Sequence, residues 1–180
     1  MPFEIMHFRG AETILISKDM DKDVQSTMEY LNDALYGSVY RGGLTRQALE
    51  EMDWRHRENL NVIEGRRYYY KGFKRGVAID GNLSSYECIQ DALLRLQVGY
   101  AQGKIDMGIV IINAHRSEKS PYGSTQELVK QEVECLYPTI SLPISVVLFD
   151  LGMPDYGKED DTINADYITN KEPVEPELPA

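Results

Sequence analysis

The sequence predicts a single α/β domain with a core laid out as β-hairpin, amphipathic helix, strand, helix, strand. Three observations predict it. Residues 67–83 hold two β-prone runs around a short loop that contains glycine. Ile89, Ala92, Leu93, Leu96 and Tyr100 then recur at helical spacing. Finally, residues 107–112 and 144–149 are continuous apolar runs, the pattern of strands covered on both faces.

The elements follow in order along the chain. Residues 3–8 alternate and predict a strand, with Thr13-Ile14-Leu15-Ile16 either extending it or forming a second short one. Val24, Met28, Leu31 and Leu35 predict a helix over residues 19–36, with Glu29 and Asp33 outward. Gly37 and the pair Gly42-Gly43 are expected to break it. Thr45 is placed to cap a second helix from Arg46, with Leu49, Met52 and Trp54 inward. Residues 59–65 read as a turn or a short strand. In the hairpin, residues 67–73 and 77–83 flank the loop Lys74-Arg75-Gly76. Ser84 or Ser85, with Glu87 behind it, suits a capping box for a helix over residues 86–101, which Gly99 and Gly103 would end. Gly108 reads as a close-packing position inside the next strand. Residues 115–124 form a polar loop. Ser124 or Thr125 then opens a helix through Leu128, Val133 and Leu136, which Pro138 stops.

The chain of 180 residues is long enough to enclose one sizeable core, and its 42% hydrophobic and 27% charged content is ordinary for a globular domain. No apolar run is long enough to span a bilayer, so no membrane role is expected. The first residues have neither a basic stretch nor an apolar one of the secretory kind. Cys88 and Cys135 lie in helical patterns without metal-ligand spacing and read as buried free thiols, which suits a reducing, cytoplasmic setting.

The net charge of −10 is unevenly spread. Residues 151–180 carry −6, are rich in proline and read as an acidic tail with little share in the core, leaving residues 1–150 as the domain. Residues 55–75 carry +5, from Arg55, Arg57, Arg66, Arg67, Lys71, Lys74 and Arg75 against Glu58 and Glu64. Only this middle stretch suits a phosphate-bearing partner; it also reads as a plain solvated surface.

Strand alternation puts Asp80 and Asn82 on one face. An acid and an amide two residues apart can hold one Mg²⁺ and orient a water beside it. The same Asp80-Gly81-Asn82 also reads as a turn, since both dipeptides are common in turns. His7, His56 and His115 share no spacing and read as surface or structural residues. Tyr68-Tyr69-Tyr70 suits base stacking, or packing of one face into the core.

Three segments, residues 75–86 (Arg75-Gly76-Val77-Ala78-Ile79-Asp80-Gly81-Asn82-Leu83-Ser84-Ser85-Tyr86), 104–111 (opening Lys104-Ile105-Asp106-Met107-Gly108) and 142–148 (opening Leu142-Pro143), occur in an order and spacing that resembles the BglII/BstYI family of type II restriction endonucleases. The likeness covers residues 67–150 most clearly. It implies a restriction-endonuclease-like α/β fold, a mixed central sheet flanked by helices. It also implies a homodimer that binds duplex DNA in a cleft, with the helix over residues 86–101 as a dimer element. The family holds its metal with an aspartate, then Glu-x-Gln. Here Asp80 and Asn82 stand where the Glu and Gln would be, and Lys71 stands at the upstream aspartate. Glu64 or Glu51 is the available substitute for that missing carboxylate.

The resemblance implies that, in an active enzyme, Asp80 would ligate Mg²⁺, Asn82 would help orient its water and Lys71 would contact the scissile phosphate. Ser84, Ser85 and the loop residues His115, Arg116, Ser117 and Lys119 would lie near DNA, and Arg66, Arg67, Lys74 and Arg75 would contact backbone phosphates. Two other readings stand beside Mg²⁺-dependent phosphodiester hydrolysis. One is an inactive relative that binds DNA or a protein partner, favoured by Lys71 and the net charge. The other is an acidic body that imitates DNA.

Overall fold

The computed structural model describes residues 3–84, 89–114 and 123–152. Its centre is a mixed five-stranded sheet. In chain order the strands are β1 (Phe3–Phe8), β2 (Gly72–Lys74), β3 (Val77–Asn82), β4 (Met107–Asn113) and β5 (Ile144–Phe149), arranged β1-β5-β4-β3-β2. The three inner strands, β3, β4 and β5, run parallel, and β1 and β2 close the edges antiparallel. Every residue of β4 and β5 is buried, as their unbroken apolar runs predict.

The helices divide between the two faces. α1 (Ala11–Ser17), α2 (Asp21–Leu35) and α3 (Arg41–Glu51) cover one, packing Leu15, Met28, Leu31, Leu35 and Leu49 against Ile79, Ile109, Ile111 and Val147. α4 (Gln90–Ala101) and α5 (Gln126–Cys135) cover the other, packing Leu93, Leu96, Val129 and Val133 against Ala78, Val110, Ile112 and Val146. These two helices are also the crossovers that let β3, β4 and β5 run parallel.

The structure corrects several expectations. Thr13–Ile16 are helical, because Arg9 (φ 55°) and Gly10 (φ 78°) turn the chain out of β1 and bring Ala11 and Leu15 to the core one turn apart. Gly42 and Gly43 lie in the first turn of α3 rather than ahead of it. Thr45 is therefore no cap: it is buried, and its hydroxyl donates to the Arg41 carbonyl at 2.6 Å. Gly99 does not end α4 but sits within it, where the Tyr70 hydroxyl occupies the space a Cβ would need. Gly103 (φ 71°) follows the helix end.

Further along, Leu128 is exposed while Val129 and Val133 are buried. Cys135 is an exposed free thiol rather than a buried one, and Cys88 lies outside the described residues. The expected tail begins too early, because Leu151 is fully buried and the Arg41 guanidinium donates to the Gly152 carbonyl at 2.8 Å. Thr125 caps α5 as expected, its hydroxyl accepting from the Leu128 N–H at 3.2 Å. Gly108 is a close-packing position: a Cβ there would lie 2.8 Å from the Leu96 side chain.

The β2–β3 hairpin is tighter and shorter than the sequence suggests. Lys74 pairs with Val77, leaving a two-residue turn in which Arg75 (φ 50°) and Gly76 (φ 81°) are both left-handed, the mirror-image turn that matches strand twist. Lys18 clamps this turn, donating to the Arg75 carbonyl at 2.9 Å and pairing with Asp106 at 2.6 Å. Upstream of β2, Tyr69 makes only an isolated bridge to Asn61. No helix among the described residues is long and apolar enough to cross a membrane.

Candidate functional site

The site is built on β3 and its neighbours. Asp80 lies mid-sheet beside Val110 of β4, and Asn82 beside Ile112, so both side chains turn to the α4 face, as alternation requires. Between them stands Gly81 (φ 125°), where a Cβ would overlap the Ile111 carbonyl oxygen and lie 2.9 Å from its nitrogen. Only glycine lets β3 pass this close to β4, so Asp80-Gly81-Asn82 is strand and not the alternative turn.

Asp80 is 1% exposed. A buried carboxylate needs partners, and this one has them within the protein. Its Oδ2 pairs with Arg95 Nε from α4, and its Oδ1 accepts the Gly81 N–H at 2.8 Å. Burial pushes the Asp80 carboxyl above the usual aspartate range, and the charges of Arg95 and Lys71 and the Gly81 N–H pull the other way. Arg95 is held on its second side by Tyr68, whose ring centroid lies 5.7 Å from the guanidinium carbon.

Lys71 reaches the site through the hairpin register. Gly72 pairs with Ile79, and the Lys71 N–H donates to the Ile79 carbonyl at 2.9 Å, which sets Lys71 next to Asp80. Its carbonyl accepts from Arg55 Nη1 at 2.6 Å. Burial lowers the Lys71 ammonium below the ordinary lysine range; Asp80 opposes this, while Arg95, Arg55 and Arg46 add to it. The Tyr70 hydroxyl is buried without a hydrogen-bond partner among the described residues, and burial raises its pKa to about 12.

Asn82 Oδ1 accepts both the N–H and the hydroxyl of Ser84, an Asx turn that closes the strand. Lys74 is engaged elsewhere, with Asp23 at 2.9 Å, the Met52 carbonyl at 2.8 Å and the Trp54 ring at 4.9 Å. Arg75 donates to the Lys18 carbonyl at 2.6 Å. Arg66 and Arg67 are exposed in the segment before β2. Ser85, His115, Arg116, Ser117 and Lys119 lie outside the described residues.

These residues do not fit a Mg²⁺ ion. Both Asp80 oxygens are already bonded, the nearest further charged groups are cations, and no group of three ligating side chains occurs among the described residues. The substitutes do not help. Glu51 is bonded to Tyr30 and Gln47 on the exposed side of α2 and α3, and Glu64 stands exposed in a turn.

Arg95 was not among the candidates that the sequence offers. A signal for it exists: it lies three residues after Ala92 and four before Gly99, on the buried stripe of α4, where an arginine needs a buried acid.

The parallel core closed by antiparallel edges, with helices on both faces, is a restriction-endonuclease-like fold. Two of the solved structures that the chain is similar to are of BglII. The restriction endonuclease BglII complexed with a DNA 16-mer matches over 88% of this chain and 79% of its own, at 16% identity and a TM-score of 0.59. Free BglII matches over 88% and 82%, at 17% identity and a TM-score of 0.55. Neither a protein-family model nor a curated protein sequence matches the chain.

Proposed function

We propose that this protein binds duplex DNA through its restriction-endonuclease-like fold and does not cut it by the Mg²⁺ route. One observation carries the second half: the acid at the metal position, Asp80, is closed in an ion pair with Arg95 and flanked by Lys71. To admit a divalent ion, the site would have to break that pair and bring the ion up against two cations. The first half is supported by the fold shared with BglII, which one of the two structures holds complexed with DNA, and by the basic run over residues 55–75. A homodimer is part of the same reading, since a cleft for duplex DNA needs two walls.

Plasmid nicking in Mg²⁺ and in EDTA, together with duplex binding at low salt, tests this reading. Binding without nicking is the expected result. Mg²⁺-dependent nicking that disappears in Asp80→Ala would overturn the inactive-site reading, and absence of duplex binding at low salt would overturn the DNA reading. Low salt is needed because phosphate contacts weaken steeply as ionic strength rises.

A further inference from the structure

The cations around Asp80 outnumber its charge. Arg95 is spent on Asp80. Arg55 uses Nη1 on the Lys71 carbonyl, and its buried Nε, in an ion pair with Glu50 at 3.6 Å, has no hydrogen bond among the described residues. The Lys71 ammonium has neither a hydrogen bond nor an ion pair among the described residues, although most of the side chain is covered. Arg46, exposed on α3, adds its field to both. With Arg95 paired to Asp80 and Arg55 to Glu50, the Lys71 ammonium, on a half-buried side chain, is left as the excess positive charge of the site, and Arg46 adds to it.

We infer that Lys71 takes the place of the divalent ion: a backbone phosphate of duplex DNA seats on the Lys71 ammonium, with Arg55 beside it and Arg95 holding Asp80 behind it, and no metal takes part. This inference rests on the DNA-binding reading above and adds the chemistry of one contact. An ammonium and a guanidinium give the phosphate charge-assisted hydrogen bonds, so the contact needs no hydrated metal. Asp80, held by Arg95, limits the field so that a single phosphate charge balances the site.

The test is duplex binding by the full-length protein in EDTA and in Mg²⁺ at matched ionic strength. It compares the native chain, Lys71→Met, Lys71→Arg and a control, Lys22→Met, which removes the same charge from the exposed face of α2. Melting temperatures read from Trp54 fluorescence report whether each variant is folded. The native protein should bind equally in both buffers. Lys71→Met should bind about ten-fold more weakly, with the slope of log affinity against log salt reduced by about one.

Affinity of the native protein should also fall as pH rises, beginning below the ordinary lysine range. This loss should be absent in Lys71→Arg, because the groups facing position 71 other than Asp80 (Arg95, Arg55 and Arg46) do not titrate there. Binding that requires Mg²⁺ would overturn the inference. Equal behaviour of folded Lys71→Met and Lys22→Met would also overturn it, and would leave the DNA reading standing. If the native chain binds no duplex at all, both fall together.

Discussion

Removing Arg95 should expose how much the fold depends on the Asp80 pair. In Arg95→Ala the carboxylate, 1% exposed in the native fold, loses the donor on Oδ2, keeping only the Gly81 N–H and the field of Lys71. Breaking a fully buried pair this way costs about 3–5 kcal/mol. Two features lower that figure. The Arg95 side chain is 25% exposed, so solvent already screens the pair, and Lys71 remains to compensate part of the charge. The expected loss is about 2–3 kcal/mol, a fall in melting temperature of about 8 °C for a domain this size.

Urea unfolding followed by Trp54 measures it, because the only tryptophan is fully buried and bonded to Thr27 at 3.0 Å. A cycle with Asp80→Asn should return a coupling of about 2 kcal/mol. The pH dependence has a definite sign. Burial already raises the folded-state Asp80 pKa, and losing Arg95 raises it further. A raised group favours the fold in acid and loses that contribution as pH climbs through its folded value. The deficit of Arg95→Ala should therefore be smallest in acid and grow toward neutrality. A loss below about 0.5 kcal/mol, or no coupling in the cycle, would refute the ion pair as the feature that closes the site.

Gly81→Ala should be far more damaging than its size suggests: the Cβ would overlap the Ile111 carbonyl at a backbone angle that L-residues avoid, so a loss above about 3 kcal/mol is expected, and a normal melting temperature would contradict it. Tyr70→Phe should leave stability unchanged or raise it by up to about 1 kcal/mol, since the hydroxyl it removes is buried with no hydrogen-bond partner among the described residues. In the alkaline ultraviolet titration the same variant should lose the phenol that titrates near 12. Truncation after Gly152 should leave the melting temperature within about 2 °C, whereas truncation after Asp150 removes buried Leu151 and the acceptors of Arg41 and should cost about 3 kcal/mol.

The inner strands were legible in the sequence because β4 and β5 are apolar on both faces, a pattern with few alternatives. The hairpin was legible too, from two β-prone runs around a short loop with glycine, and the facing of Asp80 and Asn82 from strand alternation. α1 was not, because the run Thr13–Ile16 is rich in β-branched residues and its true signal, Ala11 and Leu15 one turn apart, is only two residues long. α3 was legible from Arg46 onward, but its first turn was hidden by Gly42 and Gly43, whose low propensity is overridden by the burial of Ala48 and Leu49. At the site, Lys71 was visible as a charge reversal, but its effect was not. That depends on Arg95, fifteen residues past Asp80 and on another element, and no local pattern links the two.

The pairing of β1 with β5 has a consequence for how the chain is made. Phe3 lies opposite Phe149, so β1 must wait for β5, about 140 residues further along the chain, before it finds its place. At ordinary elongation speeds this interval is on the order of ten seconds. Throughout it, Phe3 and the apolar sides of α1 and α2 lack Val147 and Phe149, the strand against which they finally pack. The nascent chain therefore carries an unclosed sheet and an uncovered helical layer until β5 leaves the ribosome. In cells short of chaperones, aggregation should be decided during synthesis, before the folded protein's own stability comes into play.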